Sequence, residues 1–291
     1  MIETINNFIE KTKDLKVLVI GETIIDQFFK VSYEGQSMKS FCPVFKEFED
    51  TKEDQEGGVL AIANHIKDFV ASVELITNDK DEIIKTRFVD IHSGKKHIEL
   101  NKFHLKPRAS QHIKTSDYDV VIVADFGHGF CDHITLDDGF FLMCQTNSNN
   151  FGFNRVSKWK HNRKTGVCID LREASLQMNK KIEDPTENDL KDLYNYEINA
   201  NNLFVTLGKR GSAFTDGDKI HFQNSFRSEI VDTIGAGDTY LAFTALLTAI
   251  DMPFEKGMVV PSLAASLSTT WLCNEQHVTK EKLLSHANKV V

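Results

Sequence analysis

The sequence has no excess of positive charge. Lys and Arg number 34 against 42 Asp and Glu, a formal net charge of −8 with a pI near 5.8. Nucleic-acid binding asks for a basic face, so nucleic acid is not an expected partner. The five cysteines, Cys42, Cys131, Cys144, Cys168 and Cys273, are odd in number and contain no C-x-x-C pair. Neither a disulfide framework nor a zinc knuckle is indicated, and free thiols of a reducing compartment are expected. The eleven histidines show no H-x-x-x-H spacing, so no transition-metal helix is expected. No basic segment followed by an apolar run opens the chain, and no apolar run approaches the ~20 residues of a membrane helix. These absences predict a soluble cytoplasmic protein without a membrane partner. A G-x-x-x-x-G-K-[ST] string is also missing, which excludes a P-loop.

What the 291 residues do contain is a rhythm of short, continuous apolar runs. Lys16 to Gly21, Val73 to Ile76, Asp119 to Ala124 and Leu203 to Leu207 read as strands buried on both faces of a parallel sheet. Phe140 to Cys144 and Gly166 to Ile169 fit the same pattern. Helical patterns cover Leu60 to Phe69, Asp238 to Ile250 and Pro261 to Trp271. Strands alternating with helices predict an α/β fold, a doubly wound and mostly parallel sheet flanked by helices, in one domain spanning 1–291. Two stretches depart from the rhythm. Gln27 to Tyr33 and Val44 to Glu53 are aromatic-rich and partly alternating, and Thr86 to Asn101 reads as a β-hairpin turning at Ser93-Gly94. They predict a small β lid made of two insertions, approximately 27–56 and 84–106. An exposed aromatic sheet needs a partner, and a homodimer through the lid is expected.

The segment richest in chemistry is Val231-Asp-Thr-Ile-Gly-Ala-Gly-Asp-Thr-Tyr240, followed at once by a helical pattern. Gly235, Ala236 and Gly237 can turn sharply and present N–H groups at a helix N-terminus, an anion site suited to a phosphoryl group. Asp238 beside it can accept the proton of an attacking hydroxyl. The plainer alternative makes Asp238 a capping carboxylate at a turn.

This string resembles the D-T-x-G-A-G-D signature of the ribokinase-like (PfkB) sugar kinases, and the likeness runs along nearly the whole chain. Val17 to Asp26 is similar to the family's opening strand, G-x-x-x-x-D, whose aspartate binds substrate hydroxyls; Gln55 to Ala63 matches its glycine pair, Gly57-Gly58, and the helix after it. Val205 to Ser212 resembles its V-T-x-G-x-x-G turn near ATP. Within the family, Cys42-Pro-Val44, Lys85-Thr-Arg87 and Ala124 to Gly129 resemble the heptose-7-phosphate kinase branch. The H-x-G-H motif of the nucleotidyltransferase domain in bifunctional members does not occur.

The resemblance implies an ATP- and Mg²⁺-dependent kinase acting on a hydroxyl of a sugar or sugar phosphate. Asp238 would be the base, with Gly235, Ala236 and Gly237 as the anion hole. Asp26, Gly57, Gly58 and Arg87 would meet the acceptor. Thr206, Gly208, Gly211 and Thr233 would meet ATP, and Asp170 and Glu173, in the place of an N-x-x-E motif, the metal. Aspartate suits Mg²⁺ better than an amide does, although an ordinary helix carboxylate is the alternative for Glu173. Departures bear on the acceptor. Ala61 stands where the family has a sugar-contacting asparagine, with Asn64 nearly a turn too late, and His128 replaces a lysine. They leave open a non-catalytic nucleotide or sugar-phosphate binder, and a kinase for a nucleoside or vitamin alcohol. The Asn-rich segment Gln145 to Asn154 could read hydroxyls or be a plain loop. The basic run Lys158, Lys160, Arg163 and Lys164 could attract phosphate or be a solvated face.

Overall fold

A computed structural model describes residues 1–48, 51–144, 146–147, 152–153, 155–196, 198–226 and 229–290. Its elements begin with α1 (Ile2–Thr12), β1 (Lys16–Gly21), β2 (Thr23–Gln36), β3 (Pro43–Glu47), β4 (Glu53–Gly58) and α2 (Val59–Ile66). Next come β5 (Ser72–Thr77), β6 (Ile83–Asp90), β7 (Lys96–Phe103), β8 (Gln111–Ile113), β9 (Val120–Asp125), β10 (Ile134–Leu136) and β11 (Phe140–Cys144). Then follow β12 (Thr146–Asn147), β13 (Gly152–Phe153), β14 (Lys164–Asp170), α3 (Leu171–Gln177), α4 (Glu187–Asn195) and β15 (Leu203–Thr206). The chain finishes with β16 (Ser212–Thr215), β17 (Ile220–Gln223), α5 (Ala236–Thr248), α6 (Phe254–Gly257), α7 (Val259–Ser268) and α8 (Lys280–Lys289).

Eight strands form the main sheet in the order β17-β16-β15-β14-β11-β9-β1-β5. The run from β5 to β15 is parallel, and β16 and β17 add an antiparallel edge. The apolar strands explain why this sheet is covered on both sides. Val17 and Val19 of β1 join Ile122 of β9 and Phe141 of β11 in a core that also contains Ile62 of α2, Leu241 of α5 and Leu263 of α7. Leu18 and Ile20 face the other way with Val121, Val123 and Leu142, under Ala174 of α3 and Leu190 of α4. Period-two alternation between two apolar layers is what a central strand requires. All six strand readings from the sequence fall on main-sheet strands, and the three helices on α2, α5 and α7.

The second sheet runs β3-β2-β6-β7, with β4 paired to the near end of β2. Strand β2 leaves the main sheet just after β1 and carries the whole layer. Its register with β6 sets Asp26 beside Lys85 and Phe28 beside Arg87, while Glu99 of β7 pairs with Arg87. Since i and i+2 share a face, Asp26, Phe28, Lys85, Arg87 and Glu99 all lie on one side. Phe29, Phe88, Ile98 and Leu100 lie on the other, where Phe29 and Phe88 stack at 5.5 Å. Leu100 is 62% exposed there. Of the Asn-rich segment, β12 and β13 form an antiparallel pair; residues 145, 148–151 and 154 lie outside the described residues, so its reading of hydroxyls is not tested. Among the described residues no helix is long and apolar enough to cross a membrane.

Candidate active site

Strands β1, β9, β14 and β15 are parallel, and their carboxyl ends deliver Gly21, Asp125, Asp170 and Thr206 to one edge of the sheet. Ligands of open α/β sheets bind at that edge. The loop before α5 arrives there too. Gly235 adopts a left-handed φ of 84° and serves as the helix N-cap, so α5 starts two residues earlier than its apolar pattern suggests. Asp238 therefore lies in the first helical turn and makes no capping bond, which removes the plainer alternative for this residue.

The loop is braced by Asp232, whose carboxylate accepts the N–H groups of Thr233 at 2.8 Å and Ile234 at 3.3 Å. The same carboxylate takes the Lys96 ammonium of β7 in the second sheet at 2.6 Å and the Cys273 N–H at 3.2 Å. The Ala236 N–H turns back onto the Thr233 carbonyl at 3.3 Å, and Thr239 N–H onto Gly235. The amide of Ala236, expected in the anion hole, is thus engaged internally. Those of Gly237 and Asp238 meet no acceptor in the described residues. A Cβ at Gly237 would touch nothing, so there is open space beside the first turn of α5. The positive end of the 13-residue α5 dipole adds to the same place.

Asp238 is half-buried and has no hydrogen-bond partner among the described residues. Burial, then the negative charge of Asp26, push its carboxyl up to about 7, against an opposing pull from Lys85. Asp26 is 4% exposed and held by three groups. Arg87 Nη1 donates to its Oδ1, Asn274 Nδ2 donates to Oδ2 at 3.2 Å, and Gly57 packs flat against it. A Cβ on Gly57 would stand 2.4 Å from Asp26 Oδ2, so this position has room only for hydrogen. Gly58 closes β4 and caps α2. Arg87, expected at the acceptor, is itself buried and taken up by Asp26 and by Glu99 at 2.9 Å, with Phe28 beneath it.

Lys85 was outside the candidate set from sequence. Its ammonium has no hydrogen bond or ion pair among the described residues, and burial lowers its pKa against the pull of Asp26. It also feels Asp238 and raises the cost of charging His128. His128 stacks on Phe103 at 4.6 Å, leaves Nε2 without a partner and is pushed down to about 4. It is therefore neutral at pH 7, without even the partial charge its ordinary pKa would give. Ala61 is buried in α2, away from hydrogen-bonding duty.

Gly208 opens a single 3-10 turn after β15, and Gly211 closes it with its Cα against the Gln223 carbonyl. Thr206 pairs in register with Asp170 of β14, and exposed Thr233 borders the α5 loop. Asp170 and Glu173 form a capping box on α3, each accepting the other's N–H, at 2.7 and 2.8 Å. The Cys168 thiol on β14, raised chiefly by burial, also feels Glu173, Asp170 and Asp238, which gathers these carboxylates around one strand end. Mg²⁺ uses one or two carboxylates plus phosphates and water, so the chemistry of this carboxylate pair at a strand end suits it. The basic run divides between surface and interior: Lys160 and Arg163 are exposed, whereas Lys158 and Lys164 reach buried partners. Lys158 holds buried Asp125 at 2.8 Å and Asp132 at 2.6 Å, while Lys164 is fully buried on the Trp159 and Asn162 carbonyls.

Residues 161–271 match the pfkB family carbohydrate kinase profile. The bifunctional protein HldE of Campylobacter fetus is 22% identical over 297 residues, covering 87% of this chain, which spans 62% of that protein. Among solved structures, the ribokinase of Thermotoga maritima superposes with a TM-score of 0.65 at 14% identity, covering 94% of this chain and 99% of that one. The Arabidopsis thaliana ribokinase complexed with ribose and ATP gives 0.65 at 13% identity, covering 94% and 98%. Residues 161–271 are thus similar to pfkB family carbohydrate kinases, and the fold of the chain is ribokinase-like.

Proposed function

We propose that this chain is an ATP-dependent kinase that transfers the γ-phosphoryl group to a hydroxyl of a sugar or sugar phosphate. The observation that carries this reading is Asp238. It is an uncapped carboxylate, pushed up to about 7, beside two unengaged amides and facing the buried Asp26. A base of that pKa suits proton transfer near neutral pH. Asp26, held rigid by Arg87 and Asn274, accepts hydrogen bonds from acceptor hydroxyls. Asp238 takes the proton of the reacting hydroxyl as its oxygen bonds to the γ-phosphorus and the bond to ADP breaks. The Gly237 and Asp238 amides, with the α5 dipole, steady the charge on the transferring oxygens. Thr206, Gly208, Gly211 and Thr233 line the nucleotide side. Asp170 and Glu173 would hold Mg²⁺, which when bound supplies charge neutralisation on the phosphates.

Lys85 extends the reading to the acceptor. A half-buried ammonium without a partner, on the lid face beside Asp26, suits an acceptor that carries a phosphate, and a heptose phosphate is the favoured case. The lid covers the acceptor, and Lys96 fastens it to the α5 loop through Asp232. The exposed apolar side of the lid, with Tyr33, Ile98 and Leu100, is the surface through which two copies would pair. Use of ATP is consistent with the cytoplasm. The test is ATP-to-ADP turnover with Mg²⁺ against heptose, hexose and pentose acceptors, free and phosphorylated. Turnover that collapses in Asp238→Asn is expected. Equal turnover by parent and variant would remove Asp238 as the base.

A further inference from the structure

Resting on the kinase reading, we propose that Asn274 is a second acceptor-binding group, whose side-chain carbonyl selects a hydroxyl adjacent to the one held by Asp26. The site then reads a vicinal diol rather than a single alcohol.

Asn274 lies between α7 and α8, 248 residues from Asp26 in sequence, yet it is anchored to the acceptor side at two points. Its N–H donates to Gln55 Oε1 at 2.8 Å, and its Nδ2 donates to Asp26 Oδ2 at 3.2 Å. The neighbouring Cys273 is held at a φ of +47°, a sparsely populated conformation for a residue with a Cβ. Its own N–H is tied to Asp232 at 3.2 Å. Strain of this kind persists only where surrounding contacts enforce it. Here Asp232 on one side and Gln55 with Asp26 on the other do so.

The contact with Asp26 also decides which end of the amide is which. Exchanging N and O would set a carbonyl against a carboxylate, two acceptors with no proton between them. Oδ1 therefore points away from Asp26. It is buried and has no donor. It lies 2.8 Å from where a Cβ on Gly235 would be, and a Cβ on Gly57 would stand 3.1 Å from Nδ2. The orphaned oxygen thus sits between the acceptor carboxylate and the loop that meets the phosphoryl group. Buried acceptors without a donor are few in folded proteins, and one at a ligand-binding edge is completed by ligand.

The chemistry of the missing donor follows from its surroundings. A carbonyl oxygen repels phosphoryl oxygens, so it does not belong to the anion site. It requires an O–H or N–H. With Asp26 next to it in hydrogen-bond contact, two neighbouring hydroxyls can be taken up together, one by the carboxylate and one by the amide. A lone alcohol would leave Oδ1 unpaired.

The experiment compares acceptors with analogues lacking a single hydroxyl, D-ribose against 2-deoxyribose and D-mannose, free and phosphorylated, against its 2-deoxy form. The parent chain should prefer the full diol by about 10- to 100-fold in kcat/KM, the usual penalty for a buried group left unpaired. Asn274→Ala should bring that ratio close to one while the KM for ATP stays put. A purely structural role would weaken diol and deoxy sugar alike and keep the ratio, and that result overturns the proposal. Asn274→Ser provides a second variant should the alanine chain not fold. If no acceptor is turned over, the kinase reading fails, and calorimetric affinities of the same sugar pairs still decide the point. Equal affinity of the parent for diol and deoxy sugar, or affinity for neither, overturns the assignment of Asn274.

Discussion

Replacing Asp238 by asparagine changes the volume of the side chain very little and removes one ionisable group from the first turn of α5. The carboxyl titrates at about 7 in the folded chain against an ordinary 3.8. The folded state therefore holds the proton more tightly than the unfolded state. Stability associated with that proton is fully present below pH 3.8 and is lost as the pH rises through about 7. One pH unit of displacement is worth about 1.4 kcal/mol, so complete ionisation would cost about 4 kcal/mol. Asp238 is half-buried rather than sealed, and solvent screening reduces this to about 2 kcal/mol. For a chain of this length, that is a rise in Tm of roughly 5 °C for Asp238→Asn at pH 8, shrinking towards zero near pH 4. Thermal unfolding of parent and variant at a series of pH values measures it directly. The same variant should lose about 10²–10⁴ in turnover, and the parent's kcat/KM should climb with pH to a plateau just above 7. A Tm difference independent of pH would refute the reasoning, because it would mean that Asp238 titrates like an exposed carboxylate.

Three further outcomes follow from the acceptor side, beside the loss of diol preference expected for Asn274→Ala. Arg87→Met should destabilise the chain by about 3 kcal/mol in urea unfolding, because buried Asp26 loses its charge partner. The Asp26→Asn/Arg87→Met pair should regain much of that stability without regaining activity. Gly57→Ala pushes a methyl to within 2.4 Å of Asp26 Oδ2, and should raise the acceptor KM at least tenfold with the KM for ATP unchanged. Lys85→Met should raise the KM of phosphorylated acceptors by about 10-fold or more and leave free sugars within twofold. An equal effect on both kinds of sugar would show that Lys85 serves Asp238 or Asp26 and not a substrate phosphate.

Local pattern carried the architecture, because strand and helix periodicity are properties of consecutive residues. Val17 to Ile20 alternates between two apolar layers, and no other placement buries all four. The glycines of the 231–240 segment likewise mark a sharp turn into a helix wherever that segment is placed. Position along the chain says much less about which charges face one another. Lys158 and Lys164 look like a solvated basic run until β9 and the Trp159 turn supply their buried partners. Arg87 looks like a free lid cation until the fold lets its guanidinium reach diagonally from its place opposite Phe28 to Asp26. Lys85, two residues earlier on the same face and directly opposite Asp26, has the opposite fate, since that carboxylate is taken by Arg87 and Asn274. Asn274 gave no signal at all, since its meaning arises from a contact across 248 residues. Secondary structure is a near-neighbour property and survives reading in one dimension. Pairing, burial and the pKa of a carboxylate depend on distances through space, which only the folded chain sets.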